Sequence, residues 1–221
     1  MGNDNSMKLT QKNRDEVLQH INTVTEILPN IYLSSRHAAE DPNTYKLNGI
    51  TAVLSLTTNL TKYPQNIKTK HFHVQDSFFF LLDQVLTESL CWLIEMVNSG
   101  HKVLVHCEVG VSRSASVVLA YLMMVNHWTL KQSFLFCKAK RSVVCPNPGF
   151  IIQLYQFQIK MGIKDTTENS LFVKGLLTQS NTLYREVPVR ALWNSFLENG
   201  FSYEKAIKDH CRVAASASRS A

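Results

Sequence analysis

One stretch of the sequence holds residue types that together can carry out chemistry on a phosphate group. It is VLVHCEVGVSRS, residues 103–114, in which Cys107 precedes Arg113 by six positions. A cysteine thiolate is a nucleophile, and an arginine guanidinium can direct two N–H donors at two oxygens of one phosphate. A cysteine and an arginine at this spacing also occur by chance, so the interpretation depends on the residues around them.

The surrounding residues predict a strand, a tight loop and a helix N-terminus. Residues 103–105 are a short β-rich run, and residues 115–125 are apolar almost all round, which predicts a buried central helix. A loop in this position can point successive N–H groups at one anion, at the positive end of the helix dipole. Gly110 permits the backbone turn that such a loop needs.

This segment therefore predicts a phosphate-binding loop with a nucleophile at its base. Cys107 is the predicted nucleophile, ionised to the thiolate by the positive field of the loop, and His106 is predicted to support the loop. The alternative, a buried strand-end cysteine beside a surface arginine, is disfavoured by the strand, loop and helix context. The residues predicted to bind the phosphate are Glu108, Val109, Gly110, Val111, Ser112 and Arg113.

Alternating strand and helix patterns predict an α/β fold with a mostly parallel central sheet flanked by helices. Short β-rich runs bounded by polar residues, glycine or proline predict the strands, and helical spacing of apolar residues predicts the helices. The predicted strands are 31–33, 51–56, 71–74 and 103–105. The predicted helices are 14–24, 86–98, 115–127, 130–140 and 149–161, with a further helical pattern over 190–211.

Changes in composition divide the chain into three parts. Residues 1–25 are a polar N-terminal segment, and residues 26–163 form the predicted catalytic domain. Residues 164–221 are a predicted helical C-terminal extension with polar stretches at 164–170 and 179–182, and its Ala/Ser-rich end is predicted to be disordered.

Composition and charge indicate a globular, intracellular protein with anionic partners. The chain has 45% hydrophobic and 18% charged residues, typical of a globular fold, and its longest central apolar run, 117–125, is shorter than the roughly 20 residues of a membrane span. The polar start lacks a signal-peptide core, which predicts an intracellular, cytoplasmic protein. Five cysteines without a C-x-x-C pair favour reduced thiols and argue against a zinc site. A net charge of +6 without a basic tract favours anionic partners but does not indicate nucleic acid.

Three segments together resemble the cysteine-dependent protein phosphatases, and among them the small dual-specificity members. These segments are HCEVGVSRSASVVLAYLM from His106, ILPNIYL over 27–33, and CPNPGF over 145–150 with the pair Gln153-Leu154 after it. The resemblance covers about residues 26–161. It implies an enzyme that removes phosphate from phosphotyrosine and from phosphoserine or phosphothreonine in proteins. It also implies a cysteinyl-phosphate intermediate, no metal or other cofactor, and phosphorylated proteins as partners, with signalling kinases among the candidates.

The reaction needs a group that delivers a proton to the leaving oxygen, and Asp76 is the predicted acid. It follows the predicted strand 71–74 at the sheet edge where α/β sites form, and the resemblance implies the acid at this position. Asp83 is the alternative acid. The resemblance also implies that Asp76 later activates water and that Ser114 donates a hydrogen bond to the departing thiolate.

Two further features lie outside the loop. Asn147 is predicted to hold a neighbouring loop against the phosphate-binding loop, or to be a turn residue between two prolines. The run FFFLL at 78–82 is predicted to be either core or an exposed apolar wall beside the acid.

Glu108 directly follows the predicted nucleophile and is expected to point outward to solvent, away from a site built for anions. Positions 108, 109 and 111 carry no lysine or arginine, which favours a protein phosphoester over a highly charged phosphoinositide or RNA 5′ end. Two alternatives stay open at this point: a phosphate-binding scaffold with little turnover, and a phosphatase that acts on a non-protein substrate such as an RNA 5′ end, a phosphoinositide or a glucan.

The N-terminal sequence MGNDNS matches the M-G-x-x-x-S/T pattern for N-myristoylation of Gly2. A single acyl chain supports only reversible attachment to a membrane. The pattern therefore predicts a cytoplasmic protein that can reach the inner face of the plasma membrane or other membranes, and a nuclear location stays open.

Overall fold

A five-stranded, mostly parallel sheet forms the centre of the molecule, as the sequence predicts. The computed structural model describes residues 18–19, 21–184, 189–205 and 208. The sheet has the order β1-β2-β5-β3-β4, and all neighbouring strands are parallel except the antiparallel pair β1–β2. The strands are β1 (Thr25–Leu28), β2 (Ile31–Ser34), β3 (Ala52–Thr57), β4 (Lys68–His73) and β5 (Val103–His106).

The four predicted strands are confirmed, and two differences concern the edges of the sheet. Strand β1 was not predicted, because its four residues are too few for a clear pattern and it pairs with β2 through a two-residue turn in which Asn30 has a φ of 70°. Strand β4 begins three residues before the predicted run. It is an edge strand whose first residues are exposed and polar, so apolar alternation does not mark them.

Eight helices of at least five described residues surround the sheet. The helices predicted near 86–98, 115–127, 130–140 and 149–161 are confirmed as α3 to α6, whereas α1 and α2 are too short for helical periodicity to reveal them. The helices are α1 (Arg36–Glu40), α2 (Pro42–Asn48), α3 (Asp83–Asn98), α4 (Arg113–Asn126), α5 (Leu130–Lys140), α6 (Pro148–Lys160), α7 (Thr167–Tyr184) and α8 (Val189–Glu198). Of the predicted helix 14–24, residues 18, 19, 21 and 22 are described as helical and residues 23 and 24 are not helical.

The predicted buried central helix is α4. Every side chain from Arg113 to Met123 is buried, and the four residues of β5, the middle strand, are buried as well. Helices α3, α5 and α6 pack around α4 and complete the main hydrophobic core. The loop between β5 and α4 therefore lies at the end of the two most enclosed elements of the fold.

The C-terminal extension packs on the rest of the chain rather than standing apart. Helix α7 contacts α5 and α6, and its residues Val173, Leu176 and Leu177 belong to the main core. The polar stretches at 164–170 and 179–182 do not break this helix. Instead, the buried side chain of Asn169 accepts a hydrogen bond from the N–H of Lys131 at 3.0 Å and so joins α7 to α5.

The helical pattern over 190–211 predicts a longer helix than the structure shows. Helix α8 ends at Glu198, because Gly200 and Phe201 both have a φ of 62° and turn the chain out of the helix. A further helical turn is described at residues 203–205. The predicted disordered end lies outside the described residues, and no described helix is long and apolar enough to span a bilayer.

Candidate active site

Cys107 lies at the base of the loop between β5 and α4. Its side chain is buried, and its sulfur accepts hydrogen bonds from the N–H of Gly110 at 3.2 Å and from the hydroxyl of Ser114 at 3.1 Å. Both donors stabilise negative charge on the sulfur, which is the charge of the attacking thiolate. The structure therefore brings Cys107, Gly110 and Ser114 together in the arrangement that a nucleophilic cysteine needs.

The carbonyl groups of this loop point to partners on its outer side. The carbonyl oxygens of Val109 and Gly110 accept from Nη2 and Nε of Arg141 at 3.3 and 3.0 Å. The other three carbonyl oxygens are those of Cys107, which accepts from His106 Nδ1 at 3.1 Å, of Glu108, which accepts from Arg36 N at 3.0 Å, and of Val111, which accepts from Cys145 N at 3.0 Å. Because the C=O and N–H of a trans peptide unit point in opposite directions, the N–H groups of residues 108–112 are left on the inner side. Converging N–H groups of this kind bind anions.

Gly110 is the one position of the loop where a side chain has no room. Its φ is +74°, and a Cβ atom there would overlap the carbonyl of Ser34 at the end of β2 and the guanidinium of Arg141. Only glycine adopts this conformation and this close approach without strain.

Arg141, at the end of α5, is a residue of the site that the sequence analysis missed. Its side chain is only 1% exposed, and besides the loop carbonyls it binds the carbonyls of Ile21 and Thr23 at 3.1 and 3.0 Å. Burial lowers the pKa of its guanidinium, and the nearby Cys107 opposes that shift. No local pattern distinguishes this arginine from a surface one, since its partners come from distant parts of the chain.

The carboxylate of Asp76 lies at the rim of the loop. Its Oδ1 accepts from the hydroxyl of Ser112 at 2.7 Å and from the side-chain amide of Asn147 at 2.8 Å, while Oδ2 lies 3.8 Å from Nε of Arg113. The N–H of Asn147 in turn donates to the Ser112 hydroxyl at 3.0 Å. The predicted acid and the loop are thus joined by direct hydrogen bonds.

Asn147 binds the acid and also caps the start of α6, a role that differs from the predicted turn. Its side-chain oxygen caps α6 by accepting from the N–H of Phe150 at 3.0 Å, while its amide group binds Asp76. Because the cap fixes the side-chain rotamer, the amide that holds Asp76 is placed by the start of α6.

Arg113 is the first residue of α4 and is 6% exposed. Its Nη1 donates to the carbonyl of Val74 at 3.1 Å, and its Nε makes no hydrogen bond within the described part of the chain. A buried donor without an acceptor is costly, so an anion that accepted from Nε would be favoured.

Asp83, the alternative acid, lies elsewhere. It begins α3, its side chain is 72% exposed, and both carboxylate oxygens accept from Nζ of Lys160 at 2.9 and 3.0 Å. Of the two carboxylates it is Asp76 that the fold places against the phosphate-binding loop.

Glu108 has a partly exposed side chain, at 36%. Its carboxylate lies 3.6 Å from Nη1 of Arg36 in α1, a cation that offsets its charge. The next residues, Val109 and Val111, are exposed and half-buried respectively.

The apolar run at 78–82 divides between the two predicted roles. Phe78 and Leu82 are buried and Phe80 packs against the core, whereas Phe79 and Leu81 are about half exposed, at 51% and 48%. Alternate side chains therefore anchor the loop that follows Asp76 and leave two apolar groups on the surface.

His106 is fully buried under the loop and supports it through its ring. The carbonyl of Cys107 can only accept, so Nδ1 is the protonated nitrogen, and Nε2 accepts from the hydroxyl of Tyr63 at 2.6 Å. Burial lowers the pKa of His106 to about 4, so the ring is neutral at physiological pH. Tyr63, which no local sequence pattern marks, reaches the histidine from the loop after β3.

Gly2 lies outside the described residues. Among the described residues there is no group of three or more His, Cys, Asp or Glu side chains arranged to hold a metal ion.

Residues 31–160 match the family model described as dual specificity phosphatase, catalytic domain. Dual specificity protein phosphatase 1-A of Xenopus laevis is 37% identical over 134 residues, which are 60% of this chain and 36% of that protein. The putative tyrosine phosphatase 123R of Invertebrate iridescent virus 6 is also 37% identical over 134 residues, and these cover 91% of it. The chain thus spans only about a third of the first relative but nearly all of the second.

Two crystal structures show the same architecture. Human DUSP28 superposes with a TM-score of 0.59 and 28% identity over 63% of this chain and 95% of that chain. DUSP15 superposes with a TM-score of 0.61 and 27% identity over 70% of this chain and 95% of that chain.

The buried neutral histidine predicts a pH-dependent stability. The pKa of His106 is about 4 in the folded protein and about 6.5 in the unfolded chain, so between these values the unfolded chain binds more protons. The free energy of unfolding should therefore fall as the pH falls from about 6.5 to about 4, with a contribution from His106 of about 3 kcal/mol. Urea denaturation of the wild type and of His106→Gln over this range measures it. Parallel pH curves for the two proteins would contradict the assignment.

Proposed function

Because the chain belongs to the dual specificity phosphatase family, we propose that it removes phosphate from phosphotyrosine and from phosphoserine or phosphothreonine in proteins through a cysteinyl-phosphate intermediate. The observation that carries this proposal is the sulfur of Cys107, which accepts hydrogen bonds from Gly110 and Ser114 at the base of a loop whose rim holds Asp76. A nucleophile, an anion-binding loop and a proton donor are the three parts that the reaction needs.

In the first step the thiolate of Cys107 attacks phosphorus, so a sulfur–phosphorus bond forms as the bond to the leaving oxygen breaks. The N–H groups of the loop and the guanidinium of Arg113 bind the non-bridging oxygens, on which negative charge develops. The leaving oxygen takes its proton from Asp76. Since Oδ1 of this carboxyl accepts two hydrogen bonds, Oδ2 is the oxygen that carries the transferred proton.

In the second step water replaces the sulfur. The carboxylate of Asp76 accepts a proton from the water as its oxygen attacks phosphorus, and the sulfur–phosphorus bond breaks to release inorganic phosphate. The departing thiolate is stabilised by the hydroxyl of Ser114 and the N–H of Gly110, which already donate to the sulfur in the free protein.

The surroundings of the loop favour a protein substrate. The side chains at 108–112 add no positive charge, and Glu108 pairs with Arg36, so a highly charged phosphoinositide or RNA 5′ end would find no additional cation in this segment. The exposed side chains of Phe79 and Leu81, in the loop after Asp76, offer apolar contacts to a peptide. The phosphoproteins that fit this site are products of protein kinases, so kinases and their targets are the candidate partners.

Replacing the nucleophile separates binding from turnover. Cys107→Ser should bind a phosphotyrosine peptide but release no phosphate above background, because the serine hydroxyl is not ionised at neutral pH. Phosphate release and peptide binding are measured side by side, with Cys91→Ser on the exposed face of α3 as a control that should keep wild-type turnover.

Two outcomes would contradict the proposal. Wild-type protein that binds phosphopeptides without releasing phosphate would indicate a scaffold. Faster turnover of a phosphoinositide, an RNA 5′ phosphate or a phosphorylated glucan than of any phosphopeptide in the same panel would indicate a non-protein substrate.

The assignment of the acid is tested by varying the leaving group. Asp76→Asn should lower kcat/KM for a phosphothreonine peptide by about 10² to 10⁴, and kcat/KM for an activated aryl phosphate much less, because kcat/KM reports the first step and a good leaving group needs no proton there. The matched variant Asp83→Asn, whose carboxylate binds Lys160, should leave both rates near the wild-type values. The reverse pattern, with the selective loss in Asp83→Asn, would identify Asp83 as the acid.

We also propose a cytoplasmic location with reversible attachment to membranes through an N-myristoyl group on Gly2. The sequence pattern at residues 1–6 supports this proposal. One acyl chain gives weak membrane binding, so the protein would divide between the two compartments.

Gly2→Ala should move the membrane-bound fraction of the protein to the cytosol, because alanine at this position cannot be acylated. Its turnover in solution should equal that of the wild type. Cell fractionation and intact-mass measurement check this, and equal fractionation of both forms without an acyl mass on the wild type would reject the modification.

A further inference from the structure

We propose that the C-terminal extension is part of the catalytic apparatus, because two of its side chains, Tyr203 and Ser180, position the acid Asp76. This proposal rests on the proposed function, in which Asp76 donates the proton to the leaving oxygen. Both side chains bind backbone carbonyl groups in the two loops that hold the carboxylate.

Tyr203 fixes the loop that carries Asp76. Its side chain is 1% exposed, and its hydroxyl donates to the carbonyl of Phe78, two residues after the acid. The rings of Tyr203 and Phe78 also pack edge to face, with their centroids 6.0 Å apart. The N–H of Tyr203 donates to the side chain of Gln156 in α6 at 2.9 Å, so the tyrosine is held from both ends.

Gly149 shows how closely these elements meet. A Cβ atom at this position would overlap both the carbonyl of Phe78 and the hydroxyl of Tyr203. Gly149 lies in the first turn of α6, two residues after Asn147. The hydrogen bond between Tyr203 and Phe78 therefore requires glycine at position 149, because any larger residue would place an atom against both of its partners.

Ser180 reaches the acid from the other side. This buried residue of α7 donates its hydroxyl to the carbonyl of Pro146 at 2.6 Å. The next residue, Asn147, donates its side-chain amide to Oδ1 of Asp76 at 2.8 Å. The extension thus holds both the loop that carries the carboxylate and the loop that binds it.

An aromatic cluster fixes the extension in this place. Trp193, Phe196 and Phe201 pack around Tyr155 of α6, with centroid distances from Tyr155 of 5.4, 6.4 and 6.5 Å. Trp193 and Phe196 are buried, and Phe201 lies two residues before Tyr203 in the turn after α8. The position of Tyr203 is therefore set by a packed core.

The body of the domain holds the start of the Asp76 loop, where Arg113 donates to the carbonyl of Val74 at 3.1 Å, and its far end. Gln153 of α6 donates to the carbonyl of Phe80 at 2.9 Å and accepts from the N–H of Leu82 at 2.7 Å. The part nearer Asp76, at Phe78, is held by Tyr203 of the extension. Proton transfer requires the acid within hydrogen-bonding distance of the leaving oxygen, so a loosened loop should slow this transfer more than the attack of the sulfur.

The test compares a poor and a good leaving group in the full-length protein. Tyr203→Phe and Ser180→Ala each remove one hydroxyl, and the two changes are also combined. The value of kcat/KM for a phosphothreonine peptide should fall by about 10-fold to about 100-fold in the double variant, while kcat/KM for an activated aryl phosphate, which reports only the first step, stays within about twofold of the wild type. The matched control is Tyr45→Phe, which removes another buried tyrosine hydroxyl that donates to a backbone carbonyl, that of Ala39, in a different part of the fold.

A second measurement separates positioning from a general loss of folding. In an Asp76→Asn background the two substitutions should cause no further selective loss on the peptide, because the group they position is absent. If the ratio of the two rates in the double variant equals that of the wild type, whether both rates fall equally or neither falls, the positioning role alone is overturned. Wild-type protein that releases no phosphate from either ester would overturn the proposed function and the positioning role with it.

Discussion

The candidate site depends on the partners of its loop carbonyl groups. Backbone N–H groups can converge on an anion only when the oxygens of the same peptide units are satisfied on the other side. From Cys107 to Val111 every carbonyl has such a partner, and the buried guanidinium of Arg141 supplies two of them. The same guanidinium binds the carbonyls of Ile21 and Thr23, so the chain before β1 contributes to the shape of the loop.

Two ion pairs lie at the loop in the free protein. Arg113 lies 3.8 Å from Asp76, and Glu108 lies 3.6 Å from Arg36. A phosphate that takes the guanidinium of Arg113 weakens its hold on Asp76, but Ser112 and Asn147 still bind the carboxylate. The carboxylate then stays at the rim of the loop, where the proposed reaction needs it.

The C-terminal extension shares one hydrophobic core with the strands and helices that carry the site. Residues of α7 and α8, together with Tyr203, pack in the same cluster as β5 and α4. The side-chain hydroxyls of Tyr203 and Ser180 donate to backbone carbonyls in the loops around Asp76, so the packing of the extension fixes the position of the proposed acid.

The sequence by itself determined the parts of the protein that depend on neighbouring residues. The strand, loop and helix around Cys107 and Arg113 follow from local periodicity, and Asp76 is the preferred candidate acid from its place after a predicted strand and from the family resemblance. Only the tertiary structure decided the choice of Asp76 over Asp83 as the carboxylate at the loop, and the roles of Arg141, Tyr63 and Tyr203. The partners of these three side chains lie far along the chain, so no local pattern marks them, and only the packing of the whole fold brings the polar groups within hydrogen-bonding distance.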